Sequence, residues 1–286
     1  MKTVLVTGGA GFVGSNLIEA LLKDAHTKVY SLDNYSTGLK QNHIPGATYI
    51  EGDTNDIDKL VTITPDLIFH LGEYARVSTS FEDLPLLWRS NKDGTFAVLQ
   101  FARAHKAKLV YAGSSTKFAD GGLGRNQSPY AWAKASNTEL VMNFGAWFNL
   151  RYAITYFYNV YGPRERSGKY GTVIEIFKQA RLLEKPLPVV SPGTQTRNFT
   201  HVDDIVRGLL LVGEKGEGDG YGLGTRESHS VLDIARAFTG GIEMLPEEPG
   251  NRQGSPIDLS RSEGELGWHA EKSVMTYISD FLKSLS

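Results

Sequence analysis

The chain has 286 residues, 41% of them hydrophobic and 22% charged, with a net charge of −2. This is ordinary globular composition, long enough for one large α/β domain plus a smaller lobe, and the charge balance gives no electrostatic footprint for nucleic acid. No cysteine occurs, which excludes disulfides, thiolate metal sites and a cysteine nucleophile, and fits a cytoplasmic setting.

The N-terminus enters a predicted strand directly, Lys2–Thr7, with no basic and apolar leader ahead of it, so no signal peptide is expected. No run of about 18 apolar residues predicts a membrane span. Further β-branched runs predict strands at Lys28–Leu32, Thr48–Glu51, Asp66–Leu71, Lys108–Gly113 and Tyr152–Phe157. Helical patterns fall between them at Phe12–Lys23, Asn91–His105 and Tyr130–Phe148. This alternation predicts a Rossmann-type doubly wound parallel sheet with helices on both faces. After about residue 158 glycine and proline become frequent, while helical patterns persist at Val173–Leu183, Val202–Gly213 and Val231–Phe238. Residues 1–158 read as a dinucleotide-binding domain carrying the catalytic residues. Residues 159–286 read as a smaller, interleaved substrate-binding lobe with a soft boundary.

The first strand runs into Thr7-Gly8-Gly9-Ala10-Gly11-Phe12-Val13-Gly14. Gly9, Gly11 and Gly14 form G-x-G-x-x-G, and Gly8, Gly11 and Gly14 form G-x-x-G-x-x-G. Such a turn needs one glycine for tightness, one for approach to a pyrophosphate and one for helix–sheet packing. The following helix points its N-terminus at the phosphates. Asp33 ends the second strand at the spacing expected for a carboxylate on the ribose hydroxyls. No arginine follows it to receive a 2′-phosphate, so NAD is favoured over NADP. Asp53 ends the third strand, where it either reaches the adenine or caps a helix.

The fifth strand ends in Gly113-Ser114-Ser115-Thr116, and Tyr130 and Lys134 form the one Tyr-x-x-x-Lys in a chain with 13 tyrosines. Four residues apart on a helix, they share a face. A free phenol, with a pKa near 10, is too weakly acidic to serve as a base at neutral pH; an ammonium and an oxidised nicotinamide nearby favour the phenolate. A strand-end serine can hold the reacting hydroxyl for hydride transfer.

With these motifs the chain resembles the extended short-chain dehydrogenases of the nucleotide-sugar epimerase and dehydratase family, nearest in pattern to the UDP-glucose 4-epimerases. The resemblance rests on residues 7–14, Leu32-Asp33-Asn34, Gly52-Asp53, His70-Leu71, Asn91-x-x-Gly94-Thr95 and the Ser114, Tyr130, Lys134 set. It continues through Tyr158-Asn159-Val160-Tyr161-Gly162-Pro163-Arg164 and Arg197-Asn198-Phe199-Thr200-His201-Val202-Asp203-Asp204. It implies Tyr130 as base, Lys134 as anchor of the nicotinamide ribose and Ser114 as support for the reacting hydroxyl. It implies an NAD site formed by Gly8, Gly11, Phe12, Val13, Asp33, Asn34, Asp53, Thr54, Leu71, Tyr130 and Lys134. A nucleotide-diphosphate sugar would meet Ser115, Asn159, Val173, Arg197 and Arg252. Arg164, Arg166 and Lys169, on the loop after the sixth strand, are candidates for a lid, with Arg166 and Lys169 alternatively plain solvated charges. No metal is expected, with Asp203 capping the helix after it.

Three features depart from the family pattern. Ser115 and Thr116 stand where its dehydratases keep an Asp-Glu pair, which argues against 4,6-dehydration. Lys117-Phe118-Ala119 replaces the usual Val-Tyr-Gly. The small residues after His70-Leu71 become Gly72-Glu73, with Arg76 nearby; Glu73 and Arg76 either read an unusual sugar or form a surface salt bridge. Trp132, Phe144, Trp147 and Phe148 read as core or as the seam of a homodimer. The expected activity is 4-epimerisation, with a 4-dehydrogenase releasing the ketosugar as alternative and a non-catalytic NAD-binding protein behind both.

Overall fold

In the computed structural model, residues 1–247, 254 and 256–285 are described, the side chains of Asp120 and Lys169 excepted. Strands β1 (Lys2–Thr7), β2 (Thr27–Asp33), β3 (Thr48–Glu51), β4 (Leu67–His70), β5 (Lys108–Ser114), β6 (Tyr152–Phe157) and β7 (Gly218–Leu223) form the main sheet. Their spatial order is β7-β6-β5-β4-β1-β2-β3, and every neighbouring pair is parallel. The order reverses between β1 and β4, so the crevice for a ligand opens where Thr7 pairs with both Leu32 and His70.

The strands read as apolar runs because both faces are covered. Val4 and Val6 point to one face, where they pack with Leu17 and Ile18 of α1 (Phe12–Leu21) and with Ile205 and Leu209 of α5 (Val202–Lys215). Leu5 points to the other face and meets Val98 and Phe101 of α2 (Gly94–His105) and Val141 and Phe144 of α3 (Pro129–Phe148). Ser128 caps α3 by accepting from the Ala131 N–H at 3.1 Å, Pro129 supplies a preset first turn, and Asn149 ends the helix at φ 55°. The lobe has its own core, built from Ile174 and Phe177 of α4 (Val173–Leu182), Ile234 of α6 (Val231–Ala237) and Val274 and Ile278 of the C-terminal helix Val274–Lys283.

Two differences from the sequence reading concern elements near the site. Strand β7 was not expected, because Gly218, Gly220 and Gly222 remove the β-branched signature. It lies beside β6, so the chain after residue 158 returns both a strand and α5 to the dinucleotide-binding layer. Asn91, expected at the start of a helix, sits in a π-helical turn at Trp88–Asp93 that leads into α2. Among the described residues no helix is long and apolar enough to cross a membrane.

Candidate active site

The turn after β1 is shaped by its glycines. Gly8 sits at φ +73°, and a Cβ there would lie 2.8 Å from the Gly72 backbone. A Cβ on Gly14 would lie 2.2 Å from the Gly8 oxygen. The turn and the α1 N-terminus therefore close on a cavity that only bare backbone permits, which suits a pyrophosphate. Gly8, Gly11, Asp33, Asn34, Thr54 and Leu71 line one end of it. Asp33 accepts from the Ala10 N–H at 2.9 Å and the Tyr35 N–H at 2.8 Å, which aims its carboxylate and leaves acceptor capacity for ribose hydroxyls. Burial outweighs these hydrogen bonds and raises its pKa. Asp53 behaves as the cap: it accepts from the Asn55 N–H at 3.0 Å and pairs with Arg89 at 3.1 Å. Gly52 and Thr54, its neighbours, line the cavity.

A continuous cavity of about 320 Å³ joins the turn to the Tyr130–Lys134 pair, lined by Gly11, Phe12, Val13, Ser114, Ser115, Tyr130 and Lys134 among others. Ser114 accepts from the Thr116 hydroxyl at 2.9 Å. Tyr130 and Lys134 are both nearly buried on α3, at 9% and 5% exposure.

Glu73 corrects the surface-bridge expectation, and its sugar-reading role is not what its contacts describe. Its side chain is 1% exposed and forms an ion pair with Lys134. It also accepts from the Thr95 hydroxyl at 2.7 Å, Asn137 Nδ2 at 3.0 Å and the Tyr111 hydroxyl at 3.2 Å, so all its donors are protein groups. Lys134 donates in addition to the Ala112 carbonyl at 2.6 Å, which leaves one N–H for a ligand. Desolvation is the largest influence and raises the Glu73 pKa, but the Lys134 ammonium, His70 and the hydrogen bonds to the carboxylate together outweigh it and hold the carboxyl below its ordinary range.

The network extends back to the glycine turn. Because Thr95 donates to Glu73, its oxygen accepts from His70 Nε2 at 3.0 Å. His70 Nδ1 then accepts from the Thr7 hydroxyl at 2.7 Å, whose oxygen takes the Gly72 N–H at 3.0 Å. This chain needs a neutral imidazole, and burial pulls the His70 pKa down to about 4.

On the lobe side a cavity of about 790 Å³ brings together Arg76, Thr116, Asn159, Val173, Gln195 and Arg197. Ser115, 2% exposed, lines the adjoining cavity beside Tyr130 and Lys134 instead. Arg252 lies outside the described residues. Arg76 donates to the carbonyls of Ala75 and Tyr170, and its Nε is buried without a hydrogen-bond partner. Glu165, which the sequence reading missed, accepts from the Thr172 N–H at 2.7 Å through one oxygen. Its other oxygen is buried without a hydrogen-bond partner, and burial pushes its pKa up to about 7. Nothing in its local pattern, an acid between two arginines, distinguishes it from a solvated charge.

The remaining expectations divide. Arg164 is tied to α1 through Asn16 at 3.0 Å and through Glu19. Arg166 reaches the Thr37 carbonyl at 3.2 Å, bridging the lobe to the loop after β2. The cap on α5 comes from His201, whose Nδ1 accepts from the Asp203 N–H at 3.1 Å, while Asp203 pairs with Lys272. Among the described residues no cluster of His, Cys, Asp and Glu has the makings of a metal site.

Comparison with known proteins agrees with this geometry. The chain is 32% identical, over 82% of its length and 78% of the other's, to a UDP-N-acetyl-alpha-D-glucosaminuronate decarboxylase of Bacillus cytotoxicus. It is 29% identical, over 96% and 95% respectively, to a UDP-glucose 4-epimerase of Mycolicibacterium smegmatis. Its fold superposes on the UDP-glucose 4-epimerase of Thermus thermophilus in complex with NAD, with a TM-score of 0.89, 26% identity and coverage of 99% and 100%. The model of the NAD dependent epimerase/dehydratase family matches residues 4–224; the chain belongs to that family, and NAD is its cofactor.

Proposed function

We propose that this chain is a nucleotide-sugar 4-epimerase. The observation that carries the reading is the junction of two cavities: one reaches from the glycine turn to Ser114, Tyr130 and Lys134, the other is lined by Asn159, Val173 and Arg197, and Thr116, Arg76 and Asn159 border both. Residues 1–158 then carry the cofactor and catalytic groups, and residues 159–286 the nucleotide-sugar site, with β7 and α5 lent back to the first layer.

In this reading Asp33 takes the adenosine ribose, the remaining Lys134 N–H the nicotinamide ribose, and Ser114 the sugar 4-hydroxyl. Tyr130 removes that hydroxyl's proton. Bound NAD would supply the hydride acceptor and donor for carbon 4. Arg197, Arg252 and Asn159 keep the diphosphate clamped while the ketone turns, and Tyr130 reprotonates the inverted hydroxyl. Ser115 and Thr116 offer no group with a pKa suited to elimination, so a dehydratase outcome is not expected. Support comes also from the Mycolicibacterium relative, matched along 95% of its length.

Arg76 favours a second reading on a uronate. Arg76 lines both cavities and keeps a buried Nε with no hydrogen-bond partner, a cation to which a sugar carboxylate is suited, and the Bacillus cytotoxicus relative is named as a uronate decarboxylase. Oxidation at carbon 4 would then make a β-keto acid that loses carbon dioxide. Incubation with UDP-, GDP- and dTDP-hexoses and their uronates, read by mass spectrometry and proton NMR, separates the readings. An epimer of unchanged mass supports the first, loss of carbon dioxide from a uronate supports the second, and no turnover of any member contradicts both.

The outer face of α2 and α3 is proposed to pair with a second copy. Phe144 is core at 3% exposure, whereas Phe96, Met142, Trp147 and Phe148 are 49%, 41%, 61% and 41% exposed, large apolar side chains of the kind that pairing with a second copy would cover. Sedimentation analysis should give a dimer, and a strict monomer would contradict this pairing.

A further inference from the structure

Glu73 has no part in the proton and hydride transfers set out above, yet it is the best-satisfied charged group in the site. A buried carboxylate ordinarily avoids its desolvation cost by taking up a proton. Here four donors converge on it, one of them the Lys134 ammonium, and the charge is retained. Glu73 and Lys134 both line the cavity together with Tyr130 and Ala112, where Lys134 is the proposed anchor of the nicotinamide ribose. His70, from β4, faces the pair through Thr95 as a neutral ring; Tyr111, from β5, and Asn137, from α3, face it as neutral donors.

An oxidised nicotinamide carries a positive charge that disappears when it accepts hydride. A bare ammonium beside it would disfavour the oxidised form; a carboxylate on that ammonium removes the repulsion. We propose that Glu73 is a positioning residue that sets the redox balance of the site: it fixes Lys134, tempers its charge, and so favours bound NAD over bound NADH. The balance concerns the step in which the sugar carbinol gives its hydroxyl proton to Tyr130 and its hydride to the dinucleotide, becoming a ketone. Favouring the oxidised dinucleotide drives the return of that hydride to the ketone, which an enzyme that ends each cycle with NAD requires. The inference rests on the NAD site and on the role of Lys134 there, and is independent of which sugar binds.

The test is calorimetric titration of the purified chain with NAD and with NADH, at alkaline pH where the carboxyl is ionised. Glu73→Gln removes one charge, and Lys134→Met removes the other. The ratio Kd(NADH)/Kd(NAD) should fall about tenfold in Glu73→Gln and rise about tenfold in Lys134→Met, a 1.4 kcal/mol change each way. In the double variant it should return to within about threefold of the parent, the spread expected for a difference between two measured affinities. If Glu73→Gln does not fold, Lys134→Met and the double variant carry the comparison, because neither holds a bare ammonium; the single variant should then show the higher ratio by about tenfold. Shifts in the same direction for Glu73→Gln and Lys134→Met, or an equal ratio in Lys134→Met and the double variant, would overturn the proposal. A purely structural role would change both affinities together and leave the ratio alone. Failure of the parent chain to bind NAD at all would instead overturn the cofactor assignment, and the proposal with it.

Discussion

At the sheet end of the cleft, Thr7, His70, Thr95, Glu73 and Lys134 pass hydrogen bonds from one to the next, and Glu73 has a donor on each oxygen. At the lobe end, Arg76 Nε and Gln195 Oε1, on residues that line the larger cavity, are buried with no hydrogen-bond partner. Buried polar atoms are nearly always paired, so unpaired ones at a cavity mark places where a ligand or water completes the structure. The contrast suggests a division of labour. The sheet end is preorganised for a transfer that does not change with the substrate, while the lobe end is finished by whatever nucleotide-sugar it holds.

The largest effect should come from the catalytic base. Tyr130→Phe keeps the ring and removes the proton acceptor, so sugar oxidation should fall by about 10²–10⁴-fold, the usual worth of acid–base help, while NAD affinity holds. Near-parental oxidation in a single-turnover assay would show that the preorganised end does not work as described. Next, Glu73→Ala leaves Lys134 buried and unpaired, which should cost about 3–5 kcal/mol of stability in urea unfolding. A loss below about 1 kcal/mol, the range of exposed pairs, would mean that the pair is wet and not a fixed device.

At the lobe end, Arg197→Ala and Arg76→Ala should each weaken nucleotide-sugar binding by about 1.5–3 kcal/mol, the range for hydrogen bonds to charged groups, with little change in NAD affinity. Equal losses for both ligands would erase the distinction between the two ends. The smallest effect concerns Glu165, whose pKa is raised from 4.5 to about 7 by burial. Between those values the folded chain binds more protons than the unfolded chain, so stability declines as pH rises through that window. After allowance for solvent screening the decline should be about 1–2 kcal/mol. Glu165→Gln should flatten this part of the profile in thermal unfolding; an unchanged slope would remove Glu165 from the account.

Much of the sheet end was legible in sequence because its signals are local. The glycine turn, Asp33 at the end of β2 and the Tyr130–Lys134 spacing each declare themselves within a few residues. Glu73 did not, since its partners Thr95, Tyr111, Lys134 and Asn137 come from β5, α2 and α3 and meet it only on folding. Strand β7 was hidden by its three glycines, and the α5 cap was assigned to Asp203 when His201, one position outside the helix, supplies it. Arg164 carried a family motif but no sign of the Asn16 and Glu19 contacts that bind it to α1. Arg76 and Glu165 are hard to read for a related reason: a charged loop residue becomes informative only once burial leaves one of its atoms unpaired.

In the proposed reaction, oxidation at carbon 4 is transient and ends in inversion within one site. A nucleotide-sugar deuterated at carbon 4, incubated with the purified protein and no added cofactor, tests this directly. The expected result is a product inverted at carbon 4 that retains its deuterium, read by proton NMR and mass spectrometry. A released 4-ketosugar that has lost the deuterium, with no inverted product, would contradict the epimerase and identify a 4-dehydrogenase.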